Sequence, residues 1–171
     1  MKILCHGCFD LLHIGHIKYL EKARELGTFL IVTITADRYI NKGNGRPLFP
    51  ESMRKHALES LKCVDYVEII NDPTAIPAIM QFKPDIYAKG MDYSDNPDPT
   101  LELERQAVES IGGKLVIVDP GIQYSSTEIM TGELLCTRIN QLSESLYATK
   151  QGINAEKHGV LPARVEIIGC G

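Results

Sequence analysis

Five short apolar runs, at residues 2–8, 29–35, 64–70, 85–88 and 114–118, alternate along this chain with stretches of helical periodicity. In residues 14–26, for example, Ile14, Ile17, Leu20, Ala23 and Leu26 recur at helix spacing, and Gly27 follows as a stop. Further helices are expected over 50–61, opened by Pro50, over 74–82, over 101–111 before Gly112-Gly113, and from 126 towards 145. Neighbouring strands separated by whole helices cannot pair through tight hairpins. They pair through crossovers, which run the strands parallel. The pattern therefore predicts an α/β fold of three layers with a central five-stranded parallel sheet. Polar, glycine-containing loops are expected over 41–50 and 89–99.

Composition narrows the function classes. The chain has 171 residues, enough to bury a core without disulfides. Its 18 Lys and Arg against 22 Asp and Glu give a net charge of −4. That balance argues against a broad nucleic-acid face while leaving room for a local phosphate pocket. The longest apolar run, residues 29–35, falls far short of the ~18 residues of a membrane helix. Met1–Cys5 lacks the apolar core of a signal peptide, and five cysteines is an odd count, so reduced thiols and a cytoplasmic location are expected. Residues 1–145 read as one domain and 146–171 as linker and tail. The strand-like run 165–168 ahead of Gly169 resembles the opening of another unit, so the expectation is the N-terminal piece of a longer fusion. The alternative is a last strand joining the same sheet.

The most informative stretch is Gly7-Cys8-Phe9-Asp10-Leu11-Leu12-His13-Ile14-Gly15-His16, where the first strand gives way to the first helix. In parallel sheets ligands bind beyond the carboxyl ends of strands, where helix N-termini offer unpaired N–H groups and positive dipole. His13 and His16 lie three apart and project to one side of a helix start. Gly15 between them lets an anion approach the backbone. One such histidine alone reads as structural; the pair at this junction reads as a polyphosphate site.

These residues resemble the signature of the HxGH nucleotidyltransferase superfamily, which includes cytidylyltransferases and ADP-heptose synthases. Further segments agree in order: Thr35-Ala36-Asp37-Arg38, Lys42-Gly43-Asn44-Gly45-Arg46-Pro47, Arg54, Cys63-Val64-Asp65-Tyr66-Val67, Lys89-Gly90-Met91-Asp92-Tyr93 and Tyr124-Ser125-Ser126-Thr127-Glu128-Ile129. The last two most resemble the adenylyltransferase part of ADP-heptose synthase and related sugar-phosphate nucleotidyltransferases fused to sugar kinases. The resemblance covers roughly residues 1–135. It implies a Rossmann-like nucleotidyltransferase domain, a multifunctional protein, and transfer of a nucleoside monophosphate from an NTP to a small phosphorylated acceptor, with release of pyrophosphate. ATP and a sugar phosphate are favoured; CTP with a polyol phosphate or phosphonate is the alternative. The glycerol-phosphate cytidylyltransferases carry an Arg-Thr-Glu-Gly run where this chain has Asp119-Pro120-Gly121-Ile122-Gln123-Tyr124, which speaks against direct transfer of their substrates.

The resemblance assigns His13, His16, Lys42, Arg54 and Ser126 to catalysis. The two imidazoles would stabilise the transition state at the α-phosphate, and Lys42 would reach the β/γ-phosphates or the acceptor. Nucleotide contacts would come from Gly7, Cys8, Phe9, Asp10, Gly15, Asp37, Lys89, Asp92, Tyr124, Ser125 and Thr127. Arg46 and Arg54 would clamp the acceptor in bidentate fashion. Asp10 would cap the first helix or orient the histidines, and Asp37 or Asp92 could equally cap a helix. Mg²⁺ is expected as the counter-ion of the triphosphate, with no dedicated metal cage. A homodimer is expected, as in related enzymes.

Three other readings compete. Cys5, Cys8, His13 and His16 are zinc-ligand types at knuckle-like spacing, and Cys5-x-x-Cys8 could suggest a redox pair. Side chains three apart on a strand point to opposite faces, so these cysteines cannot converge on one ion. His13-Ile14-Gly15-His16 also spells the signature of class I aminoacyl-tRNA synthetases, but the chain is short, acidic and lacks the lysine-rich partner motif. A non-catalytic nucleotide-binding module would need most of the same residues.

Overall fold

The structure, a computed structural model, describes residues 1–43, 45–91 and 99–121, all within one compact unit, Met1–Ser126. Five strands, β1 (Lys2–Gly7), β2 (Phe29–Thr35), β3 (Tyr66–Ile70), β4 (Ile86–Gly90) and β5 (Lys114–Val118), form one sheet in the order β3-β2-β1-β4-β5. Every pairing is parallel. Helices α1 (Ile14–Glu25), α2 (Glu51–Glu59), α3 (Ile76–Phe82) and α4 (Pro99–Ser110) connect consecutive strands. A short 3-10 turn, Asp37–Tyr39, follows β2. The expected helix from 126 towards 145, the tail strand and the domain limit at 145 lie outside the described residues.

Two apolar clusters coat the sheet, one on each face. Ile3 and Cys5 of β1 join Leu30, Val32 and Ile34 of β2 beneath Tyr19, Leu20 and Ala23 of α1 and Leu58 of α2. Leu4, Ile31 and Tyr87 meet Ala78 and Ile79 of α3 and Val108 of α4 on the other side. Residues alternate between faces along each strand, so a central strand covered on both sides must be apolar at every position. That requirement is why β1 and β2 read as largely apolar runs, with the buried His6 and Thr33 bonded to each other. Among the described residues no helix is long and apolar enough to cross a membrane.

The chain order turns back between β1 and β4. Strands β2 and β3 lie to one side of β1, with β4 and β5 on the other. Crossovers leave a crevice at such a switch point, beyond the carboxyl ends of the strands. Gly7, the last residue of β1, opens directly onto it.

Candidate active site

The β1–α1 turn is built around an uncommon backbone. Phe9 adopts φ +48°, a left-handed conformation that is costly for a bulky residue. It is held there by packing: its ring is buried and lies over Gly7, where an added Cβ would stand 3.1 Å from Cε2. Glycine at position 7 thus makes room for the Phe9 ring. The ring also meets His16 edge-on, with centroids 5.1 Å apart. His13 is the N-cap of α1 and His16 lies within its first turn; their rings stack at 3.8 Å with 26° between planes. No side chain caps α1, and no acidic residue sits in its first turn. Gly15 is buried between the two histidines.

Burial first, then the neighbouring His13, drives the His16 pKa down from 6.5 to about 4; the charge of Lys42 adds to the shift. His16 is therefore neutral near pH 7, and its Nδ1 is buried with no hydrogen-bond partner. Lys42 itself is exposed, and its charge also lowers the Cys8 thiol against the upward push of burial. The structure thus stacks His13 on His16, with the Lys42 charge felt at His16.

Other expected ligand contacts face the protein instead. Arg54, on α2, is fully buried. It donates from Nε to Phe49 O at 3.0 Å, from Nη1 to Cys8 O at 2.5 Å, and from Nη2 to Thr35 O at 2.9 Å and to Asp37 Oδ1 at 2.7 Å. Its guanidinium ties three loops together and does not form the open bidentate clamp expected for an acceptor. Arg46 pairs through Nε with Asp10 Oδ2, both side chains being almost wholly buried. The other Asp10 oxygen accepts the Phe49 N–H at 3.0 Å. Asp10 therefore neither caps α1 nor reaches the histidines. It holds the far end of the Lys42 loop.

Asp37 takes the capping role. Its Oδ2 accepts the Glu51 N–H at the start of α2, while Glu51 Oε2 accepts the Asp37 N–H in return. Lys89 is expected in a loop beyond a strand, but β4 runs on to Gly90, and Lys89 is buried within it. Its Nζ lies 3.2 Å from Glu104 Oε2, which also accepts the Tyr87 hydroxyl; Glu104 Oε1 accepts the Ala75 N–H ahead of α3. Glu104 and Tyr87 escape the sequence reading, although a signal exists. Glu104 shares the buried face of α4 with Val108 at helix spacing, where an unpaired carboxylate would be costly. Asp92, Tyr124, Ser125, Ser126 and Thr127 lie outside the described residues. The zinc arrangement is not formed: Cys5 is buried in the sheet, and among the described residues no three His, Cys, Asp or Glu side chains gather to hold a metal ion.

His6 is a second depressed histidine. It bridges Thr33 Oγ1 at 2.9 Å and Thr35 Oγ1 at 3.2 Å, and burial followed by the Lys89 charge lowers its pKa to about 4. Thr33 Oγ1 itself donates to Cys5 O, so His6 Nδ1 carries the proton and Nε2 accepts from Thr35. Both His6 and His16 are neutral when folded and titrate near 6.5 when unfolded. The unfolded state binds more protons below that value, so stability falls as pH drops from about 6.5 to about 4. At about 1.4 kcal/mol per pKa unit the two rings remove several kcal/mol over that window. Urea unfolding of the ligand-free protein across the same range measures it; a flat profile contradicts the assignment.

With this geometry in place, comparison with known proteins is decisive. The cytidylyltransferase-like family profile matches residues 4–132. The chain belongs to the cytidylyltransferase-like family. It carries a nucleotidyltransferase domain of that type. Over 130 residues it is 41% identical to the bifunctional protein HldE of Syntrophotalea carbinolica and 42% identical to that of Pelobacter propionicus. Those matches take in 75% of this chain but 26% of each relative, so the chain spans about a quarter of their length. Among solved structures, a lipopolysaccharide core biosynthesis protein from Thermoplasma volcanium superposes with a TM-score of 0.57 at 29% identity, over 73% of this chain and 98% of that one.

Proposed function

We propose that this domain transfers a nucleoside monophosphate from an NTP, ATP before CTP, to a small phosphorylated acceptor such as a sugar phosphate. The observation that carries the reading is the stacked His13–His16 pair at the uncapped start of α1, on the switch point of the sheet, with Lys42 close enough to be felt electrostatically. An acceptor phosphate oxygen attacks the α-phosphorus. The bond from that phosphorus to the bridging oxygen breaks, and pyrophosphate leaves with the electron pair. The attacking oxygen is already ionised near neutral pH, so the site needs no general base. Its work is positioning and stabilising negative charge.

A neutral His16 suits this role. It offers an N–H to a phosphate oxygen and gives up no proton that the product must later return. The α1 dipole and the Lys42 ammonium add positive potential from two sides. Mg²⁺ enters with the triphosphate, held by phosphate oxygens and water. ATP is preferred because the relatives at 41–42% identity are HldE proteins and because Lys89-Gly90-Met91-Asp92-Tyr93 resembles the adenylyltransferase part of ADP-heptose synthase. A homodimer in the cytoplasm belongs to the same reading, as does partnership with a further catalytic domain.

A matrix of four nucleoside triphosphates against sugar 1-phosphates, polyol phosphates and phosphonates, scored by released pyrophosphate, tests it. The expected result is release with ATP and a sugar phosphate. Release only with CTP and a polyol phosphate or phosphonate moves the domain to the cytidylyl alternative. Triphosphate binding with no release in any pairing makes it a binding module.

A further inference from the structure

Lys42 sits in a segment held at both ends, with a turn between them closed by the Arg46 N–H on Gly43 O at 3.3 Å. At one end Asp37 and Glu51 exchange hydrogen bonds and Arg54 grips Asp37. At the other, Asp10 takes the Arg46 Nε–H on one oxygen and the Phe49 N–H on the other, while Arg54 holds Phe49 O. Between these anchors Gly43 (φ +94°) and Gly45 (φ +77°) adopt left-handed backbone, with nothing within 4 Å of where a Cβ would be. No packing against the rest of the fold fixes these two glycines, so the placement of Lys42 depends on where the ends of the segment are pinned.

Asp10 and the histidines share one turn, yet both Asp10 oxygens bond to a loop 36–39 residues onward. The pairing is a poor stabiliser. Arg46 Nη2 is buried with no hydrogen-bond partner, and a buried ion pair left incomplete gives little net stability. Its value lies in register: it fixes the Lys42 loop to the same short turn that carries His13 and His16. We infer that Asp10 is a positioning residue, which through Arg46 and Phe49 sets the distance between Lys42 and the His13–His16 pair across a bound triphosphate. The inference rests on the reading above, in which the triphosphate lies against the two histidines and Lys42.

A double-mutant cycle tests it. Parent protein, Asp10→Asn, Lys42→Ala and the double variant are compared for MgATP affinity by calorimetry and for pyrophosphate release. Amide hydrogen exchange over residues 41–49 is followed in parallel. Asp10→Asn should quicken exchange at the Phe49 amide and weaken MgATP binding or turnover by up to about 10²-fold, the scale of an ångström misplacement. In the Lys42→Ala background the same change should cost almost nothing further, because the group it positions is gone. A merely structural aspartate would impose the same factor with or without Lys42, and that additivity overturns the inference, as does unaltered exchange at Phe49. Either result leaves the transferase reading standing. If Lys42→Ala alone changes neither MgATP binding nor pyrophosphate release, the placement of Lys42 on the triphosphate falls, and this inference with it. Arg46→Gln, which breaks the same pair from the other side, repeats the cycle should Asp10→Asn not fold.

Discussion

His16→Ala lowers the kcat for pyrophosphate release by about 10²–10³, the usual consequence of removing one preorganised donor at a developing oxyanion. The fold should survive. His16 is only partly buried, its Nδ1 has no hydrogen-bond partner, and folding holds the ring in its uncharged form against its ordinary pKa. Truncation removes packing against Phe9 and His13 and one hydrogen bond with the Leu11 backbone. Circular dichroism and thermal melting beside the pyrophosphate assay make the comparison, and retained turnover in a folded variant contradicts the proposed chemistry. The same variant should also lose part of the acid-dependent instability, since one of the two histidines responsible for it is gone.

Arg54→Ala acts in the opposite way, through the fold. The guanidinium satisfies the carbonyls of Cys8, Thr35 and Phe49 and pairs with Asp37, with no exposed surface of its own. Removing it leaves buried acceptors unmatched and a cavity where three loops meet. The Asp37 side chain is 37% exposed and stays solvated, so the cost comes from the unmatched carbonyls, at about 1–3 kcal/mol each where buried, and from the lost packing. For a chain of this size that lowers the melting temperature by on the order of 10 °C. Arg54→Lys recovers little of the loss: a point-like ammonium has three donors and cannot reproduce a planar fork with four bonds. Melting of the two variants against the parent decides the matter. An Arg54→Lys protein as stable as the parent but impaired in turnover would return Arg54 to the acceptor site.

The sheet was the legible part of this chain. β2 and β5 coincide with the apolar runs at 29–35 and 114–118, because both are rich in β-branched residues and bounded by glycine, proline or charged residues. β4 was cut short at residue 88, since a lysine in fifth place looks like a strand's end; the charge is tolerated because Glu104 meets it from α4. The histidine pair was legible because it is local, three residues apart on one helix start. The roles of Asp10, Arg46 and Arg54 were not, because their partners lie between 5 and 46 residues away and only the folded chain brings them together. Cations near a phosphate motif invite assignment to the ligand, whereas here two of the three arginine or lysine candidates in that stretch turn inward to assemble the loops that frame it.

The position of β1 has a consequence for how the protein is made. Of the five strands it is made before the other four, yet it ends at the centre of the sheet, between β2 and β4. β2 follows soon after, but β4 begins only at Ile86. At a synthesis rate of roughly 5–20 residues per second, the nascent chain carries β1 with one bare edge for several seconds. That edge is flanked by Ile3, Leu4 and Cys5, all destined for the interior, and an unpaired apolar strand recruits other chains. The competition between correct closure by β4 and capture by a neighbouring polypeptide therefore opens during translation, before β4 can cover that edge.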